Sequence, residues 1–275
     1  MDLVQKAQYL RYKMVDLCIK NGGHVASALS CADILVVLYY GDVLKFDTKK
    51  LDWDERDRFI LSKGHGETAL YPILADCGFF PEDWLETRYR KGDCFLGGHP
   101  DKKIPGVEVT AGALGHGLGI AAGISLAAKM DSKKHLQYVL LGDAECSEGS
   151  VWEAAMFASK HSLNNLIAII DKNRLGALDF TKDFTGLEPF AEKWQACGWE
   201  VLEVNGHALD LLQAAFQYAR TRSDKRPLAI VAQTIKGKGI SFMENDPTWH
   251  TRTLSSPGEI QQALQEVGIK LNGTI

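Results

Sequence analysis

The feature that most constrains this chain is a set of apolar, β-rich runs, QYVLLGD (137–143), NLIAIID (165–171) and PLAIVAQT (227–234), separated by stretches of helical character. Runs that are apolar at nearly every position, rather than at alternate ones, suit strands buried on both faces, and such strands belong to parallel sheets covered by helices. The segments SVWEAAMFASKH and ALDLLQAAFQYART supply those helices, and WEVLEVNG (199–206) is a weaker strand candidate. The chain therefore reads as an α/β protein with a parallel sheet flanked by helices. Ligands of such sheets bind beyond the carboxyl ends of the strands, where Asp143 and Asp171 fall.

An acid at a strand tip needs a reason, because desolvating an unpaired carboxylate is expensive. A cationic partner is therefore expected near GDAECSEG (142–149). Asp143 and Asn173 each stand just past an apolar run, and neighbouring parallel strands bring such ends together. A carboxylate, an amide oxygen and a backbone carbonyl suit a hard cation such as Mg²⁺, which takes its other ligands from phosphate and water. The helix beginning near Ser150 is expected to aim its amino terminus at a phosphate. Taken alone, an acid in this position is more often a helix cap or turn former, and that reading stays open on the residues by themselves.

Four histidines sit in glycine-rich turns: His24 in NGGHVA, His65 in SKGHGE, His99 in GGHPD and His116 in LGHGLG. Glycine lets the backbone approach a ligand closely and leaves an imidazole uncovered. Any one of them reads equally well as a turn cap, but four together point to function gathered on loops.

The balance of 31 Lys+Arg against 35 Asp+Glu, net −4, sets up no field of one sign, so neither nucleic acid nor an anionic membrane is the expected partner. No apolar run reaches the roughly 20 residues that span a bilayer, and MDLVQKAQYLRYKM patterns as an amphipathic helix rather than a leader. A cytoplasmic protein with a small-molecule partner is expected. Cys18, Cys31, Cys77, Cys94, Cys146 and Cys197 form no CxxC pair and are expected to be free, mostly packed thiols. Cys146 in particular is flanked by acids at 145 and 148, which suppress a thiolate. Trp152, Trp194, Trp199 and Trp249 are expected in the core or at subunit contacts. No linker interrupts the chain, which reads as one domain over 1–275 ending in a peripheral helix after about residue 252.

The stretch GDAECSEGSVWEAAMFAS, followed by NLIAIIDKN, resembles the thiamine diphosphate signature of the transketolase family. The segments RFILSKGHG, GGHPDKKIPGVEVTAGALGHGLGIAAGISLA, EPFAEKWQACGWEVLEVNGH and TIKGKGISFMEN are similar to transketolase segments in the same order, so the resemblance covers about residues 20 to 250. It embraces only the first transketolase domain, the diphosphate-binding (PP-type) domain with its thiamine diphosphate-binding fold. The resemblance thus implies the N-terminal subunit of a split transketolase, paired in a heterotetramer with a C-terminal subunit that carries the pyrimidine-binding domain. The implied reaction transfers a two-carbon ketol unit from a ketose phosphate to an aldose phosphate, with thiamine diphosphate and Mg²⁺ as cofactors.

Residue by residue, the resemblance implies that Asp143, Asn173 and the backbone carbonyl of Leu175 ligate Mg²⁺. It places His65 and His250 near the diphosphate, with Gly142 and Ala144 in the signature itself. It sets the Gly115, His116, Gly117 turn beside the aminopyrimidine. His24 and His99 match histidines that touch the sugar and help handle protons, and His250 is counted with them as catalytic. Glu148 matches a glutamate near the subunit boundary that links cofactor sites, while the glutamate that activates the cofactor belongs to the missing domain. The departures are Ala144, where the family usually has glycine, and Thr251 after His250; RLGALDFTKD gives no substrate clue. The alternatives are another thiamine diphosphate enzyme, such as a deoxyxylulose phosphate synthase or a 2-oxo acid dehydrogenase α subunit, and a non-catalytic nucleotide-binding or regulatory module. The module would call for G-x-G-x-x-G directly after a strand, and GALGHGLG has the wrong glycine spacing.

Overall fold

In the computed structural model, which describes residues 1–92 and 95–268, five parallel strands form one sheet in the order β1-β2-β3-β5-β4. They are β1 (Arg58–Leu61), β2 (Gln137–Gly142), β3 (Leu166–Lys172), β4 (Glu200–Asn205) and β5 (Leu228–Gln233). The three apolar runs and the weaker candidate are β2, β3, β5 and β4. The edge strand β1 lies in a region that patterns as helix and turn, and its four residues begin with a charged one, so periodicity had nothing to count.

Both faces of the sheet are covered, which is why its strands are apolar throughout. Leu61, Leu140, Ile169 and Ile230 face one core, built with α1 (Leu3–Asn21), α2 (Val25–Tyr40) and α3 (Glu67–Asp76). Ile60, Val139, Ala168 and Val231 face the other. After the single turn α4 (Trp84–Thr87), that second core receives α5 (Gly117–Met130) and α6 (Gly149–Lys160). The short α7 (Thr181–Phe184) follows β3, and α8 (Phe190–Ala196) then adds Phe190 and Trp194 to the same core. The helix α9 (Leu209–Thr221) crosses back to the first face, and α10 (Pro257–Val267) packs beside α1 through Ala263 and Val267.

Local sequence sets the ends of these elements. Asp2 and Gln5 form a reciprocal cap at the start of α1, and Gly22 at φ 73° stops that helix. Almost every residue of α2 is buried, from Val25 to Tyr39, so this helix runs through the interior and carries its amino end to the sheet's carboxyl edge. Trp194, Trp199 and Trp249 are core residues and Trp152 is half-buried. Cys18, Cys31, Cys77, Cys146 and Cys197 are free thiols, while Cys94 lies outside the described residues, as does the end of the domain beyond 268. Among the described residues, no helix is long and apolar enough to cross a membrane.

Candidate active site

The parallel register lines up the strand tips. Leu61 pairs with Leu140, Gly142 with Asp171 and Lys172 with Gln233, so the residues that follow each strand emerge at one edge. There a cleft of about 110 Å³ is lined by Ser27 of α2, Lys63 and His65 after β1, Gly142 to Glu145 after β2, Asn173 to Ala177 after β3, and Lys236 with His250 after β5. This is the crevice beyond the carboxyl ends that the strand pattern forecast.

Its acidic side answers the question raised by the strand-tip acids. Asp143 is buried at 3% exposure; its Oδ1 accepts from the Ala144 amide at 2.9 Å and its Oδ2 from the Arg174 amide at 2.6 Å. Burial, with Asp171 nearby, pushes its carboxyl up to about 7, so the group sits where a cation is wanted. Asn173 is oriented by the Leu175 amide, which donates to its Oδ1 at 3.0 Å, and Leu175 is itself buried. The second acid, Glu145, works on the backbone instead. Its Oε1 accepts from Ser62 Oγ and from the Gly115 amide at 2.8 Å, and its Oε2 accepts from the Gly142 amide at 3.0 Å. It thereby fastens three loops at the strand edge. The third, Glu148, is exposed at the start of α6.

The opposite wall is cationic and basic. Lys63 is 1% exposed and its Nζ donates to Asp171 at 2.6 Å and to the Ser27 carbonyl at 3.1 Å. Asp171 also accepts from Ser30 at 2.6 Å and from Thr234, so this acid is the internal counter-ion of Lys63. Lys236 is 2% exposed; its Nζ donates to the Gly176 carbonyl at 2.9 Å and to His250 Nδ1 at 2.7 Å, and among the described residues no carboxylate is bonded to it. Burial, aided by Lys63, draws it down to about 7. His24, His65 and His250 form a triangle, with ring centroids 5.3 to 5.5 Å apart. Burial and the surrounding cations lower them to about 4, 2 and 3 respectively, which keeps all three imidazoles neutral at pH 7. His24 Nδ1 is buried without a hydrogen-bond partner.

The other expected residues are placed as follows. The His99 ring lies against the backbone beside His65: a methyl group added to Gly64 would stand 3.1 Å from its Cδ2. His99 itself is exposed. Gly115 holds φ +80°, and a side chain there would meet Glu148 Cβ at 2.5 Å, so the turn packs on the start of α6. The amide of Gly117 donates to Ser62 Oγ at 3.2 Å, and His116 is exposed with Nδ1 3.0 Å from the Leu114 carbonyl. Leu114, rather than His116, reaches the cleft. The amino-terminal turn of α6, expected to point at a phosphate, instead holds the Gly115 carbonyl through Ser150, and the helix whose first turn lines the cleft is α2, through Ser27. His250 arrives despite Thr251, because Asp246 caps the Pro247–His250 turn and the neighbouring Trp249 is buried. Sequence reading missed Lys63, Ser27 and Lys236, since lysine and serine are ordinarily surface residues.

A carboxylate that lacks a cation, an amide and a carbonyl oxygen on one side, and a lysine without a carboxylate on the other, together fit a metal-bound diphosphate. Known proteins carry the same arrangement of sequence. The family described as the transketolase thiamine diphosphate binding domain matches residues 3–274. One of the two chains of the apulose-4-phosphate transketolase of Actinobacillus succinogenes is 44% identical over 269 residues, covering 97% of this chain and 96% of that protein. A 6-deoxy-6-sulfo-D-fructose transketolase subunit of Clostridium sp. (strain MSTE9) is 40% identical, covering 92% of each. The solved transketolase of Leishmania mexicana superposes with a TM-score of 0.88 at 28% identity, covering 98% of this chain and 41% of that one. The chain thus spans about two fifths of that longer enzyme and nearly the whole of the two subunits. It belongs to the transketolase thiamine diphosphate-binding domain family.

Proposed function

We propose that this chain is the N-terminal subunit of a split transketolase, which moves a two-carbon ketol unit from a ketose phosphate to an aldose phosphate together with a C-terminal subunit that carries the pyrimidine-binding domain. The observation that carries the reading is the cleft with opposed walls, Asp143 and Asn173 facing Lys236 and His250. The similarity to subunits named as parts of transketolases supports it. In this reading Asp143, Asn173 and the Leu175 carbonyl hold Mg²⁺, while Lys236, His65 and His250 bind the diphosphate oxygens. When bound, thiamine diphosphate supplies the nucleophilic carbon and the electron sink, which no side chain offers.

What this chain adds is orientation and proton handling. Neutral His24, with an unpartnered Nδ1, accepts a proton or hydrogen bond from a sugar hydroxyl, and His99 does the same from the loop beside it. Ala144 lines the cleft with its methyl group, and its amide is already spent on Asp143. The turn at Gly115 to Gly117 supports the cofactor's ring side through Leu114, and Glu148 lies exposed, available to a neighbouring subunit. The assembly in this reading is a heterotetramer in the cytoplasm, two copies of each subunit closing the clefts.

The test is calorimetric titration of thiamine diphosphate with Mg²⁺ into the chain alone and into its complex with the pyrimidine-domain subunit, followed by ketol transfer assays with linear, branched and sulfonated ketoses. Tight binding and transfer in the complex, both lost in Asp143→Ala, are expected. Absence of binding in either preparation overturns the reading in favour of a domain that kept the fold and gave up the cofactor.

A further inference from the structure

A charged cluster lies outside the cofactor cleft, on the side of His24 and His99. Glu67, the first residue of α3, is fully buried. Its Oε1 accepts from Tyr89 Oη at 3.0 Å, from Thr68 Oγ1 at 3.2 Å and from Arg90 Nη2 at 3.0 Å, while its Oε2 is buried without a partner. Arg90 Nε donates to Tyr89 Oη at 3.1 Å, so the guanidinium is gripped at two points. The Arg90 amide in turn donates to the Leu96 carbonyl at 2.9 Å, which closes the loop that leads to His99. A methyl group on Gly98 would stand 3.0 Å from Arg90 Nη2, so the guanidinium lies close against the backbone next to His99. Tyr71 holds the same loop from below, donating to the carbonyls of Gly97 at 3.1 Å and His99 at 3.0 Å.

A buried carboxylate on one side and a half-exposed arginine on the other is a costly arrangement unless the pair fixes something. We propose that Arg90 is a positioning residue for ketol transfer: its guanidinium, clamped by Glu67 and Tyr89 and packed on Gly98, fixes the His99 turn and sets the charge that His99 and His24 face. This rests on the transketolase reading of the cleft. The electrostatics agree, because burial lowers both imidazoles and the Arg90 charge is the next cause for each. His24 also feels His99, Lys236 and Lys63, and the rings of His65 and His250 pack against it. Arg90 acts on the two sugar-facing histidines together. The sign follows: removing this cation eases imidazolium formation, so both histidines gain protons at a higher pH than before.

The experiment compares wild type with Arg90→Gln, Arg90→Lys and Glu67→Gln in the reconstituted complex, and follows histidine protonation by NMR titration of this chain. In Arg90→Gln, kcat/KM is expected to fall by roughly 10-fold or more, the scale of a displaced reacting group. The acid limb of its pH profile should move to higher pH, and thiamine diphosphate affinity should stay unchanged. Arg90→Lys restores the acid limb, because the charge returns, but not the rate, because the fork does not. Glu67→Gln keeps the cation and loosens its grip, lowering the rate without moving the limb upward. An active Arg90→Gln complex with the wild-type rate and acid limb overturns the proposal. If the wild-type complex transfers no ketol unit, the parent reading has failed on its own. The NMR titration then decides the local claim: a rise in both histidines in Arg90→Gln upholds the electrostatic linkage, and unmoved histidines overturn it.

Discussion

At the level of single residues, the site is made by placing two lysines where lysines seldom go. Lys63 is matched by Asp171 at 2.6 Å and is a settled internal pair, whereas Lys236 has a carbonyl and an imidazole for company. A buried cation of this kind weakens the fold in order to serve a ligand. Its downward shift carries a defined sign: the ligand-free chain binds fewer protons than the unfolded chain between about 7 and the ordinary lysine value of 10.5, so this residue's cost shrinks as pH rises through that window. Lys236→Met should therefore leave the melting temperature of the ligand-free chain at neutral pH equal or raised, and weaken thiamine diphosphate binding by roughly 10- to 100-fold, the scale of one lost charged hydrogen bond. A scanning-fluorimetry and calorimetry pair measures both. Asp143 and Asn173 were legible in the sequence because each follows an apolar run and breaks its pattern. Lys236 was not, since nothing in TIKGKGIS distinguishes a lysine that turns inward from one that turns to water. The three-histidine triangle was half legible: glycine-rich turns flagged His24 and His65, while the approach of His250 depends on Trp249, whose burial no local pattern reveals.

Among the elements, the strands show the same division. β2, β3 and β5 are continuous apolar runs and could be read directly, because burial on both faces removes every polar position. The edge strand β1 could not, because what defines it is long-range: Asp57, just before it, accepts from the Leu136 amide at 2.8 Å, from the Lys45 amide at 2.9 Å and from Arg220 Nη1 at 2.6 Å. That single carboxylate ties the start of β1 to the start of β2 and to α9. Asp57→Ala leaves Arg220 and two amides without their acceptor and is expected to destabilise the chain by about 3 kcal/mol. Denaturant unfolding measures the loss; a midpoint within error of wild type would show that the strand is held by its apolar contacts alone. Since Ser62, Lys63 and His65 follow β1 directly, the same variant should also loosen the cleft. The helices divide their labour differently from the sequence expectation: α2, the most buried, brings its first turn to the cleft, and α6 supports the Gly115 turn instead.

For the molecule as a whole, the covered sheet accounts for stability and the one edge where its strands end accounts for function. Every catalytic or binding role argued above falls on a residue that follows a strand, opens α2 or lies on the His99 loop, so the rest of the chain serves to hold that edge in register. Half of the cofactor's surroundings still has to come from another polypeptide, in keeping with relatives that are themselves named as subunits. The near-neutral titration of Lys236 has one more consequence. An empty cleft does not carry a fixed positive charge at physiological pH; it carries one that appears when an anion arrives. Binding of the diphosphate should draw protons from the solvent, seen as an apparent enthalpy that changes with the ionisation enthalpy of the buffer, and the uptake should vanish in Lys236→Met. The site then behaves as a charge-regulated receptor: unloaded, it is spared most of the penalty of an unpaired buried ammonium, and loaded, it meets its ligand with full charge.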